Sequence, residues 1–517
     1  MQEWECLRLL KSGCNFRLAF LVFAICYLSV LVGFLILNSS NMPIQWDEAG
    51  HLDNGLFLKL GMYKQFSSNL FYPPLYDVLT FLSFSVFGVS VVSARIVDAF
   101  FSVLLLWVVF EFTSKVYDGK TALLGSVFLA VMPGYFYASH LAMLDTAMAF
   151  FFVLAIFFFY IWLQTYKNRM LILIGLTVIL GFLIKYQIIV AILVMFFCVL
   201  FFCRSQLKRL FSRKIYIALI FALLACVAYL VYSFQWYLGM WLNVMGINTT
   251  GGTIQPLYYL TEMNSIYPTI HPISLLIYAL GFLGLGLFAV RRQKPDKLLL
   301  IWFITVIVFY TILANKNWRY ALPLFPVLAV SAAVFVTVTF TKLLSLNRRT
   351  LAKISASILI IFTCLSLFYS VNDAVYWLNS DKAPFALEQA VEYAIAHDTG
   401  NQSITILCPD NYFSKGIVDF YLLKDGGSQI HSYTYPWSRI IDPTFNITIL
   451  ISRCKEYNVK FLFTTETGGN HLDYFNSAVT LMDIYTQLYR SNNFTHVTPE
   501  QTFGQSPIRI FILNFTG

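Results

Sequence analysis

Gln45-Trp46-Asp47-Glu48-Ala49-Gly50-His51, with the polar run that follows as far as Phe71-Tyr72-Pro73-Pro74-Leu75-Tyr76, decides how this chain is read. It comes directly after the apolar run 18–37, which places two adjacent carboxylates and a histidine at a membrane surface. Acids in that position cost free energy unless they serve something. The rest of the chain reads as a scaffold that presents them on one side of a bilayer.

Composition supports the bilayer. Of 517 residues, 58% are hydrophobic and only 12% charged, with 50 Phe and 31 Tyr, outside the range of soluble domains and typical of a polytopic α-helical membrane protein. A span needs roughly 20 mainly apolar residues, and about eleven such runs precede position 372. The formal charge of +9 does not point to nucleic acid. About 20 of the 35 Lys and Arg fall in short connectors, and every second connector is the basic one. That is the positive-inside pattern, so the charge reports topology and nucleic-acid binding is unsupported.

With the N-terminus cytoplasmic, the first span (18–37) delivers Asp47 and Glu48 to the outer face. The basic connector 115–120 is inside, so one span separates it from them, and 91–112 is the better candidate. The shorter run 75–87 begins after Pro73-Pro74 and is expected to be an interfacial or re-entrant helix. Spans 121–139 and 146–163 then enclose an outer turn ending in Asp145, and span 170–184 ends outside at Lys185-Tyr186-Gln187. A sixth span leads to the basic loop 204–214, and a seventh (215–234) opens the outer loop 235–271. Spans eight and nine bracket the basic connector 291–297 and lead to Asn315-Lys316-Asn317-Trp318-Arg319-Tyr320 outside. Spans ten and eleven bracket 342–353 and leave the tail from 372 outside.

The expected organisation is therefore a membrane domain, 1–371, whose first outer loop is 38–90, and an extracytoplasmic soluble α/β domain, 372–517, signalled by β-branched and aromatic runs at 403–407, 459–464 and 508–513. N-x-S/T triplets begin at Asn38, Asn248, Asn401, Asn446, Asn493 and Asn514, all on the outer side. The nine cysteines show no metal-type spacing, and only Cys408 with Cys454 suggests a pair. The N-terminal run reads as a retained span, not a cleaved signal.

The outer face thus collects Asp47, Glu48, His51, Tyr72, Asp145, Lys185, Lys316, Arg319 and Tyr320. Carboxylates facing a few cations suit a reaction in which a base removes a proton while cations hold an anionic leaving group. Attack on a sugar carbon with departure of phosphate fits that inventory. Each residue also has an ordinary structural reading: Asp47 and Asp145 as helix N-caps, Lys185 as a snorkelling span end, Arg319-Tyr320 as an interfacial anchor and His51 as a polar neighbour. Arg95 could neutralise a carboxylate or bind phosphate.

The order of Asp47-Glu48, Pro73-Pro74-Leu75-Tyr76, Ser93-Ala94-Arg95, Asp145 and Arg319-Tyr320-Ala321-Leu322-Pro323 resembles the GT-C membrane glycosyltransferases, in the branch of protein O-mannosyltransferases and the aminoarabinose transferase of lipid A. The resemblance covers roughly the first 190 residues and the Arg319 region. It implies a polyprenyl-phosphate-linked monosaccharide as donor, and transfer with inversion on the extracytoplasmic face to a protein, lipid or glycan hydroxyl. It implies Asp47 as catalytic base, Glu48 as its orienter and Asp145 as second acid. Lys185 and Arg319-Tyr320 would stand near the donor phosphate, with His51, Tyr72 and Arg95 as further substrate contacts. Members often carry Lys or His where this chain has Tyr72. Some relatives need a divalent metal, the mannosyltransferase branch is not generally expected to, and no ligand set stands out beyond the scattered acids, which leaves a divalent metal open. The competing class is a transporter or flippase of polyprenyl-linked sugars, which would place ionisable groups at mid-span or show repeat symmetry.

Overall fold

The computed structural model describes residues 2–38, 42–202, 213–236, 238, 255–264, 271–313, 316–346, 349–380, 387–398, 400, 402–407, 413–435, 446–465, 481–496, 502–503 and 510–516. Cys408, Asn315, the triplets at Asn248 and Asn401 and most of the loops 204–214 and 235–271 lie outside the described residues.

Among the described residues, six helices are long and apolar enough to cross a membrane, beginning with Asn15–Leu37 inside the longer helix Gln2–Leu37 and ending with Thr350–Asn379 inside Arg349–Ser380. A seventh crossing comes from Gly119–Val131 and Pro133–Ser139 taken together, which meet at 72°. The single straight span expected at 121–139 is therefore broken. Pro133 has no N–H to donate, and its ring excludes a helical continuation past Met132, whose backbone is extended (φ −62°, ψ 124°). Six or seven of the eleven expected spans are thus helices of crossing length, counted among the described residues. Other apolar runs form shorter helices, such as Asn168–Ile184 and Leu275–Arg291. Each has 17 residues, about 25 Å of helix at 1.5 Å per residue against a hydrocarbon core of about 30 Å.

The chain divides into two compact units, each described here by itself. The first comprises Met1–Phe34, Leu70–Tyr76 and Arg95–Asn379. Leu324–Leu344, buried along most of its length, packs on Gly119–Val131 and on Leu275–Arg291. Small residues allow that approach, since Ala329, Ser331, Ala332 and Ala333 are all fully buried. Ser331 Oγ donates to the Gly281 carbonyl at 2.9 Å, and a Cβ on Gly284 would overlap the Ser331 carbonyl. At the basic connector, buried Asp296 accepts from Tyr117 Oη at 2.8 Å and Arg291 Nε at 2.7 Å.

The second unit comprises Leu35–Asn69, Asp77–Ala94 and Ser380–Gly517. The expected boundary at 371 moves, because the last long helix continues to Ser380. Most of the first loop also groups with the C-terminal segment and not with the membrane helices. The C-terminal segment holds a six-stranded sheet: β1 (Ser403–Leu407), β2 (His431–Tyr435), β3 (Val459–Thr465), β4 (Phe494–His496), β5 (Thr502–Phe503) and β6 (Ile510–Phe515). The order is β2-β1-β3-β6-β4, with β5 also on β6; β1 is parallel to β2 and β3, and β6 is antiparallel to its partners. Helices Lys415–Lys424 and Ile447–Glu456 make the crossovers between the parallel strands. A continuous buried face on β1 follows from being covered on both sides.

The Gly284 contact predicts a graded result. Gly284→Val overpacks the helix pair and costs at least about 1–3 kcal/mol, whereas Gly286→Ala, whose added Cβ meets nothing within 4 Å, is neutral. Thermal stability of the two variants in detergent checks this.

Candidate functional site

In the first unit, the sequence that ends one helix and the sequence that begins another bring two charges together. Asp145 lies in the first turn of Leu144–Thr165, but the N-cap there is Met143. Its side chain is thus free of the capping role and receives Lys185 Nζ at 2.7 Å. Lys185 caps the C-terminal end of Asn168–Ile184 in an extended conformation, which turns its side chain inward. It is 3% exposed and Asp145 4%, so Lys185 does not snorkel to a polar surface.

Aromatic rings complete the surroundings of the ammonium. Lys185 Nζ stands 5.6 Å from the Tyr72 ring centroid and 5.1 Å from that of Tyr320, within cation–π range. Tyr72 in turn stacks on Tyr186 with centroids 5.4 Å apart. The irregular segment that carries Tyr72 does not satisfy its own carbonyls. Tyr229 Oη therefore donates to the Tyr72 carbonyl at 2.6 Å, Tyr186 Oη to the Phe71 carbonyl at 2.8 Å, and Ser233 Oγ also to Phe71 at 3.2 Å. Burial, followed by the nearby Tyr72 hydroxyl, pushes the Tyr320 phenol up to about 12, and it remains a hydrogen-bond donor at neutral pH.

Tyr320 sits in a short 3₁₀ turn, Trp318–Ala321, whose first N–H groups are capped by Asn317; its Oδ1 accepts from Arg319 N at 3.0 Å. The Arg319 guanidinium contacts Met143 Sδ, two residues before Asp145 in sequence. Met143 N donates to Asp98 Oδ2 at 2.9 Å, and Tyr76 Oη bonds to the same carboxylate. Arg95, one turn before Asp98 on Val91–Val116, is 2% exposed. Lys316 is occupied otherwise: its Nζ donates to the carbonyls of Tyr310 at 3.0 Å and Thr311 at 2.6 Å, closing the end of Lys294–Ile312.

The first unit therefore brings Tyr72, Asp145, Lys185, Arg319 and Tyr320 together. Sequence reasoning passed over Tyr186, although it follows Lys185 directly, and Asp98 and Tyr229. Asp98 had a signal, being three residues after Arg95 and on the same helical face. Tyr229 had none in a run of apolar residues.

The second unit carries the other acids. Gln45, not Asp47, is the N-cap of Trp46–Leu60, and Glu48 is the third helical residue. Glu48 is fully buried and accepts from Gln45 N at 3.2 Å, half of a capping box. Asp47, one position earlier and about 100° around the helix, is exposed. His51 is engaged within the loop: its Nδ1 meets Asp77 Oδ1 at 2.8 Å, while Asn54 Nδ2 donates to Asp77 Oδ2 and Asn69 Nδ2 to Asn54 Oδ1, both at 2.8 Å. This chain ties Trp46–Leu60 to the helix Leu75–Phe87. Among the described residues, Glu388, Glu392 and Asp425 have donor atoms close enough for a metal ion. Lys424 already bonds to Glu388 and, at 3.1 Å, to Asp425.

Two predictions follow from these environments. Removing one member of a buried ion pair leaves the other uncompensated, so Asp145→Ala lowers stability by about 3–5 kcal/mol, and the double variant Asp145→Ala, Lys185→Met recovers most of it. Denaturation of the three proteins in one detergent decides. For buried Asp53, desolvation first and then the neighbouring Asp419 raise the carboxyl well above its ordinary 3.8, against the opposing pull of Lys415. Its folded form keeps a proton that the unfolded chain releases, so its contribution to stability is complete below that pH and is lost as pH rises. Asp53→Asn therefore gains over wild type by up to about 1.4 kcal/mol per pH unit above it, and gains nothing in acid. Thermal midpoints across a pH series check the sign.

Residues 72–232 match the family model of the dolichyl-phosphate-mannose-protein mannosyltransferases, a stretch that contains Tyr72, Arg95, Asp145 and Lys185. No curated protein matches the sequence. Among solved structures, ArnT from Cupriavidus metallidurans bound to undecaprenyl phosphate superposes over 98% of this chain and 99% of its own, at 14% identity and a TM-score of 0.65. The oligosaccharyltransferase AglB from Archaeoglobus fulgidus, in complex with an inhibitory peptide and a dolichol-phosphate, covers 87% of this chain and 69% of its own, at 15% identity and a TM-score of 0.58. With agreement over nearly the whole of both chains in the first case, this chain has the GT-C fold of the membrane glycosyltransferases.

Proposed function

We propose that the protein is an inverting glycosyltransferase that moves a monosaccharide from a polyprenyl-phosphate donor to an acceptor hydroxyl on the extracytoplasmic face. The observation that carries this reading is the buried Lys185 ammonium, held by Asp145 and faced by Tyr72 and Tyr320. Asp145 takes one of the three N–H donors of that ammonium, and a second anion can share the others. The phosphate of a lipid donor is such an anion, and the similarity of residues 72–232 to a family named for that donor class supports this reading. ArnT and AglB, similar in fold, are each seen with a polyprenyl phosphate, and AglB with a peptide.

In this reading Asp47 takes the proton from the acceptor hydroxyl as its oxygen attacks the anomeric carbon. The bond from that carbon to the phosphate oxygen breaks, configuration inverts, and polyprenyl phosphate leaves with the bonding pair. Lys185 and Arg319 meet the charge that develops on it, and Tyr320 Oη donates a hydrogen bond. Asp145 holds Lys185 in place. Arg95 and His51 stand as further contacts on the sequence argument. The basic connectors support eleven spans with a cytoplasmic N-terminus, the shorter helices crossing where the protein thins the bilayer. The acceptor is a protein, lipid or glycan hydroxyl; the peptide seen on AglB favours protein.

The test is transfer of labelled sugar from a panel of polyprenyl-phosphate monosaccharides by purified protein in nanodiscs. Wild type transfers from at least one donor, and a folded Asp47→Asn loses about 10²–10⁴-fold, the range for a general base. Lys185→Met weakens undecaprenyl-phosphate binding. Consumption of no donor, together with passage of labelled lipid across proteoliposomes, would replace this reading with a flippase.

A further inference from the structure

The helix Trp46–Leu60, which carries Asp47 at its start, lies on the C-terminal helix Lys415–Lys424. Gly416 makes the contact close: a Cβ built there stands 3.4 Å from Ala49 Cβ and 3.7 Å from Asp53 Oδ2. One turn further on, the Phe84 and Phe420 rings approach at 6.5 Å between centroids. The contact is buried, with Ala49, Asp53, Phe84 and Phe420 all inside. Asp53 Oδ1 finds no hydrogen-bond partner among the described residues. Lys415 is engaged with Asp419, which also accepts from Ser432 of β2. Helix Lys415–Lys424 is thereby tied to the sheet.

Further contacts transmit the seating to the acids. Gly55 lets Trp46–Leu60 meet Thr80 and Phe84 of Leu75–Phe87, and the His51–Asp77–Asn54 bonds fix the two helices to each other. Glu48 locks the first turn through the Gln45 cap. The helix therefore has little freedom to rotate or slide unless it leaves Gly416.

We infer that the C-terminal segment positions the catalytic loop, with Gly416 and Ala49 as the positioning contact that sets where Asp47 stands. This rests on the reading of Asp47 as the base. Substitution size is then the variable. Ala at 416 reaches ordinary van der Waals distance and is tolerated, whereas Leu forces the helix off its seat. A displacement of about 1 Å in a reacting group costs on the order of 10²-fold in rate.

Two measurements test it. In the first, Gly416→Ala keeps transfer within about twofold of wild type, and Gly416→Leu lowers kcat by on the order of 10²-fold while undecaprenyl-phosphate affinity stays unchanged. Gly416→Leu with wild-type kcat overturns the inference, as does a loss of lipid affinity parallel to the loss of kcat, which indicates general damage. In the second, Ala49→Cys with Gly416→Cys is oxidised, the two Cβ positions lying near the usual disulfide range of about 3.5–4.5 Å. Locking the seat leaves transfer intact if the seated loop is the active one. An oxidised form that is inactive and recovers on reduction overturns the inference without any folding defect. A wild type that transfers from no donor removes the functional reading itself, and is seen before any variant is compared.

Discussion

A single ion pair constrains the first unit more than any other interaction. Lys185 and Asp145 are both almost completely buried among apolar helices, where an unpaired charge costs several kcal/mol even after relaxation. The end of Asn168–Ile184 and the start of Leu144–Thr165 must therefore meet, and neither can shift along its axis without opening the pair. The ammonium then fixes what may stand beside it. Its remaining faces are turned to Tyr72 and Tyr320, whose rings attract a cation without adding a charge. Those rings in turn hold two segments that are not regular helix, the stretch before Pro73 and the turn Trp318–Ala321. Irregular backbone is tolerated beside apolar helices only where its polar groups find partners. Tyr186, Tyr229 and Ser233 supply the donors for the first segment, and Asn317 the acceptor for the second.

In the second unit neighbouring acids have opposite environments because of helix geometry. A step of about 100° per residue separates Asp47 from Glu48, so one can face solvent while the other turns in to cap the helix. In the first loop, buried polar groups satisfy one another in a chain from His51 to Asn69. Asp53 lies outside that chain, and its Oδ1, without a partner among the described residues, marks the place where the loop meets the C-terminal helix.

Much of the helical plan was legible because it depends on local composition. Apolar runs, basic connectors and the Pro-Pro break identify where helices begin and end, and helices occupy those places. The bend at Met132 had a visible cause in Pro133, but proline inside an apolar run also occurs in straight spans, so the residue alone did not decide. Pairings over long separations left no such trace. Nothing near Ala49 signals Gly416, and nothing near Asp145 says that Lys185, and not another cation, will reach it. Counting spans gives an expectation of sidedness, whereas contacts within each unit add what counting cannot: Glu48 as a cap residue, His51 as a tie to Asp77, Lys316 as a helix terminator.

Tyr72 shows why the residue types at a site must be read together. The family it resembles often places a cation before Pro-Pro, and a tyrosine there looks like a loss of phosphate binding. In this chain Lys185 Nζ already lies 5.6 Å from the centre of the Tyr72 ring. A second positive charge at that distance would repel it by about 3 kcal/mol at an effective dielectric of 20, and Asp145 would have to offset both. An aromatic ring instead attracts the ammonium and, through Tyr186 and Tyr229, anchors its own backbone. The positive charge has thus been supplied from the end of Asn168–Ile184, and position 72 has become the surface that holds it.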